Sequence, residues 1–425
     1  MTPHIPTALL ARAVTALAFV VALTGCREIL KADAPQLIEE STLTQPNNAP
    51  VLVSGAVGDF ECAFASYIAV MGTISDEFAD SQANAAIWDL DRRTSFAQSG
   101  LYSSGLCGGF GGVYTPIATA RFQADNTLKL LDGWTDAQVP GRANLIARMA
   151  DYAGYSLILL GEGFCSAAID LGPEMTPQQL FALAEQRFAR ALTTAAPGAT
   201  GDSLRSLARI GRARARTNQS KFAEAGADAA LVPAGFAFNA QYSSSSPRAE
   251  NRVFRVNNTN GQITVDPAFR SQTVDGRADP RVPVVDAGRG GSFPQIRLFA
   301  QNKYTSLNAP MPIGTFREAT LIRAEAAVAA GDAAAAVGFI NQGRTRNALP
   351  LYASTDLAAI KAQIGEERRR ELFLESHRLY DTIRFGVPLN PAPGTPFPVG
   401  GGTYGDNKCL PLPDVERLNN PTLRP

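Results

Sequence analysis

Histidine is almost absent from this 425-residue chain: His4 and His377 are the only two. His4 stands in the first few residues, ahead of an apolar export-type run, so a processed chain keeps only His377. A nucleophile triad built on imidazole then has one base to draw on, and a multi-histidine metal cluster is excluded. Tryptophan is as scarce, with Trp88 and Trp134 alone. An excess of either charge is missing too, since Lys+Arg and Asp+Glu number 39 each. That balance argues against nucleic acid or an anionic lipid surface as the main partner. The five cysteines lack the paired Cys-x-x-Cys spacing of a zinc site. The Gly/Ser-rich stretch 99–112 lacks the Gly-Lys-Ser/Thr ending with which a phosphate loop holds its ligand. Beyond the N-terminus no apolar run approaches the length of a membrane span, and the apolar piece Tyr155 to Leu160 reads as core helix. The residues therefore predict no catalytic site, metal or cofactor, although chemistry that needs only Asp and Glu stays open.

What the chain does have begins with Leu23-Thr24-Gly25-Cys26, preceded by the uncharged apolar run Ala13 to Leu23 and by Arg12. The run is too short to cross a bilayer and has the form of an export signal. Small residues followed by Cys are what a lipoprotein signal peptidase requires, so residues 1–25 are read as signal peptide and Cys26 as the lipidated N-terminus. Several acyl chains, at roughly 0.8 kcal/mol per buried methylene, hold a protein on a membrane where one chain does not. Cys62, Cys107, Cys165 and Cys409 remain. In an oxidising compartment they suggest one or two disulfides, with three full pairings that sequence does not separate.

Residues 26–49 are polar and Pro/Asn-rich and read as a tether; 50–425 read as one large domain. Apolar spacing predicts helices over about 54–83, 113–131, 142–160, 177–195, 202–217 and 220–231, then 316–330 and 333–346, and one long helix from Asp356 to Phe385 ended by Gly386. Between them, about 235–315 is rich in Asn, Ser, Gly and Pro and reads as an irregular insertion across one face. Ala213 and Ala225 are separated by twelve positions, as are Ala324 and Ala336, with a turn between each pair. Small residues so placed let two helices approach closely, as in tetratricopeptide-type hairpins, here about 142–232 and 316–346.

The C-terminal half carries an ordered set of motifs. They are Asp279-Pro280-Arg281, Lys303-Tyr304, Leu321-Ile322-Arg323-Ala324-Glu325-Ala326 and Ile340-Asn341-Gln342-Gly343-Arg344. Glu367-Arg368-Arg369-Arg370-Glu371-Leu372 follows, with Glu375, Arg378, Asp381 and Arg384, and then Leu410-Pro411-Leu412-Pro413 with Glu416, Asn419, Asn420 and Pro421. In this order they resemble the SusD/RagB family of outer-membrane nutrient-uptake lipoproteins. The resemblance implies a mainly α fold, a SusD-like α-α superhelix of tetratricopeptide-like hairpins beneath an irregular, loop-rich ligand face, with its signature over 356–425. It also implies a non-enzymatic binding protein on the outer membrane, facing the exterior, which passes a glycan or other oligomeric nutrient to a SusC-type TonB-dependent transporter. A helical-repeat scaffold for envelope assembly, without a small ligand, is the alternative. Thr315-Phe316-Arg317-Glu318 departs from the family's usual Arg-Tyr-Ala-Glu-like entry to the third hairpin.

Glu371, Glu375, Arg378, Asp381 and Arg384 recur every three or four residues, which places them along one side of a single helix as neighbouring opposite charges. Interleaved arginines depress carboxylate pKa values, so these residues are read as holding the fold rather than as a catalytic pair. For ligand, sugar C–H faces pack on aromatic rings and hydroxyls seek polar side chains. Trp88 and Tyr102, set among Ser, Asp and Gln, are the sequence's candidates for that role.

Overall fold

Residues 43–424 are described by a computed structural model, so the signal peptide and Cys26 lie outside the described residues. Part of the expected tether is ordered, since Pro46–Asn48 form a 3-10 turn. It leads into α1 (Ala49–Ser75), which by length and composition is apolar enough to cross a membrane. Its second half is instead core: from Phe60 to Ser75 every residue except Glu61 is buried. After α1 come α2 (Ala85–Asp91), capped by the Asn84 side chain, and α3 (Gly100–Ser104), which gives the Gly/Ser-rich stretch a helical turn of its own.

The scaffold follows as α4 (Tyr114–Gly133), α5 (Arg142–Gly163), α6 (Pro177–Thr194), α7 (Ala199–Asn218) and α8 (Phe222–Ala230), each packed on the next. Thr176 and Gln179 form a reciprocal capping box at α6, where Pro177 occupies a position whose N–H has no helical partner. Close approach here depends on absent side chains. A Cβ on Gly154 of α5 would lie 2.7 Å from the Phe188 ring of α6, and one on Gly211 of α7 would lie 2.3 Å from it. One aromatic ring thus fills hollows on two neighbouring helices.

The expected insertion contains the short helix α9 (Arg252–Phe254) and short antiparallel ribbons. Strand 263–265 pairs with 78–80, 284–290 with 297–301, and 311–315 with 237–240. Helices resume with α10 (Phe316–Ala329), α11 (Ala333–Arg346) and α12 (Leu357–Glu371), capped in turn by Thr315, Asp332 and Asp356. The alanines behave as hairpin contacts. Ala213 and Ala225 share one fully packed cluster with Ile210, Ala229 and Ile322, and Ala324 and Ala336 share another with Ile340, Ile360 and Ile364.

The long C-terminal helix does not form. α12 stops at Glu371, and α13 (Arg378–Phe385) begins after a break in which Leu374 and Ser376 adopt φ of 54° and 69°. Leu372, Phe373 and Leu374 are three consecutive apolar residues, all buried. One face of a helix cannot bury such a run. Side chains replace the lost helical bonds: Lys303 Nζ donates to Phe373 O (2.6 Å), Tyr304 Oη donates to Leu374 O (2.9 Å), and Glu77 Oε1 accepts from Leu374 N (2.7 Å). The tail ends in α14 (Asp414–Asn419). The cysteines pair as Cys62–Cys107 and Cys165–Cys409, with Cα atoms 5.7 and 5.1 Å apart.

Candidate functional site

The break disperses the five signature residues, which do not share one helix side. Glu371 closes α12, Glu375 sits in the break, and Arg378, Asp381 and Arg384 belong to α13. All are held in ion pairs with partners from other elements. Arg378 is bidentate to Asp76 at the end of α1 (2.8 and 2.9 Å), and Asp381 accepts from Arg368 (2.8 Å) and Arg384 (2.9 Å). Arg384 reaches Glu325 of α10 (2.7 Å), Glu375 pairs with Arg317 (2.7 Å) and Lys303, and Arg346 of α11 reaches Glu371 (3.1 Å). Asp279 and Arg281 join the same lattice: Arg281 binds Asp279 (2.7 Å) and Glu367, which Arg344 also holds (2.8 Å).

Burial by itself raises the carboxyls of Asp279, Glu375 and Asp381, but the cations beside them prevail and hold all three below the usual carboxylate range. His377, buried between Arg214 and Arg368, is kept neutral by burial and by those guanidinium charges. These ion pairs tie α1, α10, α11, α12 and α13 together.

Of the two aromatic candidates, Tyr102 is fully buried. Its hydroxyl donates to the carbonyls of Phe96 (3.2 Å) and Pro411 (3.1 Å), so the ring is a brace between the Gly/Ser-rich stretch and the tail rather than an open platform. Trp88 lies on α2, not on a loop, and is half-buried. Its ring meets Phe397 edge-on at 6.4 Å between centroids, and a Cβ on Gly400 (φ 70°) would collide with it at 2.1 Å. Trp88 therefore props up a loop of the tail.

That loop walls a cavity of about 360 Å³. On one side stand Asp80, Asp91, Thr264, Asp266 and Arg270. On the other stand Asn390, Pro391, Thr395 to Val399 and Tyr404. Phe397 and Tyr404 contact each other edge to face (5.3 Å). The inner side is built by the ribbon that pairs 78–80 with 263–265, which sets Asp80, opposite Ile263, and Asp266, just past Val265, at the two ends of one short ribbon although nearly two hundred residues separate them in sequence. Asp91 Oδ2 accepts from Asp80 N (2.7 Å), and Asp266 Oδ1 caps its own turn through Ala268 N (2.8 Å). Among the described residues none of these three aspartates has a cation within ion-pair distance. Burial pushes Asp91 up to about 7 and Asp266 up to about 6, and raises Asp80 as well. Arg270 Nε donates to Val265 O (2.8 Å) while its guanidinium carbon lies 3.9 Å from the Phe299 ring centroid. The cavity thus offers carboxylate acceptors, a guanidinium, an amide, and ring and proline surface.

Sequence reasoning missed Asp80, Asp91, Asp266, Arg270, Phe397 and Tyr404. Phe397, an aromatic between prolines in a Gly-rich tail, was the one visible signal.

Residues 296–409 match the model of the SusD family. The fold matches that of a SusD-like protein from Bacteroides fragilis (TM-score 0.68, 12% identity, 93% of this chain and 99% of that one). It also matches a SusD-like carbohydrate binding protein from Bacteroides vulgatus (TM-score 0.67, 15% identity, 89% and 97%). A SusD superfamily protein from Parabacteroides distasonis is similar too (TM-score 0.64, 11% identity, 89% and 98%). No curated protein sequence matches the chain. Nearly the whole described chain therefore has the SusD-like helical architecture, and the tail that walls the cavity falls within the matched segment. Residues 296–409 thus carry sequence similar to the SusD family, within a chain that has the SusD-like fold.

Proposed function

We propose that this protein is an outer-membrane lipoprotein, anchored through Cys26, that binds an oligosaccharide at the cavity between 264–270 and 390–404 and delivers it to a SusC-type TonB-dependent transporter. The observation that carries the reading is the cavity's lining. Carboxylates and a guanidinium can take sugar hydroxyls, while Phe397, Tyr404 and the prolines provide surface for C–H faces. The similarity to a carbohydrate binding protein of Bacteroides vulgatus supports the ligand class. No turnover is required of it, and the Arg-saturated carboxylates around α12 and α13 are unsuited to acid catalysis.

The test has two arms. Mature lipidated protein, purified in mild detergent and screened against a panel of oligosaccharides, is expected to bind a subset without releasing product; Asp266→Asn and Phe397→Ala lose that binding. Hydrolysis of the bound sugar, or no binding across the panel, overturns the reading. Pull-down of the same protein from outer membranes is expected to recover a stoichiometric TonB-dependent β-barrel. Recovery without one removes the delivery step.

A further inference from the structure

The outer wall of the cavity has few attachments. It leaves the core at Leu389 and returns to a fixed point at Cys409, which is bonded to Cys165. Asp76 Oδ2 accepts from Asn390 N at 3.3 Å. Its other holds come from the neighbourhood of α2: Trp88 packs under Gly400 and Phe397, Asn407 Nδ2 donates to Ser95 O (2.6 Å), and most bonds are made by the pair Arg92-Arg93. The Arg92 carbonyl accepts from Gly405 N (2.6 Å), and the Arg92 guanidinium donates to Gly401 O (3.2 Å) beside the Phe397 ring.

Arg93 does more. It is 2% exposed and turns the chain with φ 58°. Its Nε donates to Gly405 O (3.4 Å), Nη1 to Asn390 O (3.3 Å) and Nη2 to Pro391 O, and its guanidinium carbon sits 4.9 Å from the Tyr404 ring centroid. Unlike Arg214, Arg281, Arg368 and Arg378, this buried guanidinium has no carboxylate within ion-pair distance among the described residues. All its observed bonds go to backbone carbonyls at the two ends of one segment. Burying a cation without a counterion is costly. A planar fork of five donors is the side chain that can hold carbonyls on both ends at once, which the single nitrogen of lysine cannot reproduce.

We propose that Arg93 is the positioning residue of the ligand cavity: by clamping 390–391 to 405 it fixes the outer wall and so sets the size of ligand the cavity accepts. The assignment rests on the cavity being the ligand site, but the clamp itself is testable without ligand. Trp88 lies beneath Gly400 and against Phe397, so with Trp134 replaced by Phe it becomes the sole tryptophan, whose selectively excited emission reports on the wall. In this background Arg93→Gln is expected to raise acrylamide quenching of Trp88 about threefold, with Arg93→Lys between it and the parent. Circular dichroism checks that each variant is folded; if Arg93→Gln does not fold, Arg93→Lys carries the test. Unchanged quenching in a folded variant overturns the clamp.

For an oligosaccharide bound by the parent protein, Arg93→Gln is expected to weaken affinity about tenfold and to relax discrimination by chain length, with partial rescue by lysine. Raised quenching with affinity and length preference unchanged overturns the positioning role. A failure of the cavity reading looks different: Phe397→Ala and Asp266→Asn then both leave oligosaccharide affinity as in the parent.

Discussion

Two regions of this molecule bury acidic residues, and they treat them in opposite ways. Around α12 and α13, carboxylates such as Glu367, Glu375 and Asp381 meet arginines or lysine at ion-pair distance. Around the cavity, Asp80, Asp91 and Asp266 meet backbone N–H groups and one another, with Arg93 and Arg270 acting only at longer range. The first arrangement fastens elements far apart in sequence, because each pair is satisfied only when both elements are in place. The second leaves acceptor capacity beside an open volume, which is what a site for polar ligands needs. Buried charge in this protein therefore has two meanings, and the partner rather than the burial tells them apart.

The sharpest way to break the paired region is to strand its cations. Glu367→Ala leaves buried Arg344 without a carboxylate and takes one of Arg281's partners, and urea unfolding is expected to show a loss of about 3–5 kcal/mol. A smaller, covalent effect separates the regions further, since the cavity wall ends in a staple and not an ion pair. Replacing Cys165 and Cys409 together by Ser is expected to cost about 2–4 kcal/mol in the same assay.

pH distinguishes the regions by sign. Asp91 and Asp266 have folded pKa values raised above their unfolded ones, so the folded state takes up protons first. Their contribution is fully present below about pH 4, where the unfolded carboxyls titrate, and is lost as pH rises through 6 and 7. The paired acids Asp279, Glu375 and Asp381, with lowered values, contribute above about pH 4 and lose that contribution only as pH falls through their folded values. Melting temperature measured from pH 5 to 8 is expected to fall with rising pH, and Asp91→Asn is expected to flatten that slope. The smallest expected effect concerns Asp151 of α5, fully buried with neither carboxylate oxygen hydrogen-bonded. Asp151→Leu is expected to stabilise the protein by about 1 kcal/mol in urea unfolding, whereas a comparable loss would show that Asp151 has a partner of the lattice kind.

The scaffold was legible in the sequence for a physical reason: hairpin helices carry a local period, turn residues punctuate them, and small residues such as Ala213, Ala225, Ala324 and Ala336 mark where they touch. The break at 372–377 was not legible. The charge spacing on either side is helical, and what interrupts it is the demand of Lys303, Tyr304 and Glu77, distant in sequence, for the backbone of Phe373 and Leu374. The cavity was hidden for the same reason. Asp80 and Asp266 come to one wall only through strand pairing, and Asp91 and Arg93, at and just after the end of α2, matter for what the tail does opposite them. Tyr102 misled because a Gly/Ser-rich setting suggests exposure, whereas Cys62–Cys107 and the Pro411 carbonyl fold that stretch inward.

The single ring of Phe188, seated over Gly154 and Gly211, has a consequence for how such a protein can diverge. A larger residue on either neighbouring helix demands a smaller one at 188, and a smaller one at 188 opens two hollows at once, so substitutions at these three places have to arrive together. The outer wall, gripped by a pair of arginines, can accept changes one at a time. Descendants of this chain would then inherit the scaffold as a block and remodel the ligand face piecemeal.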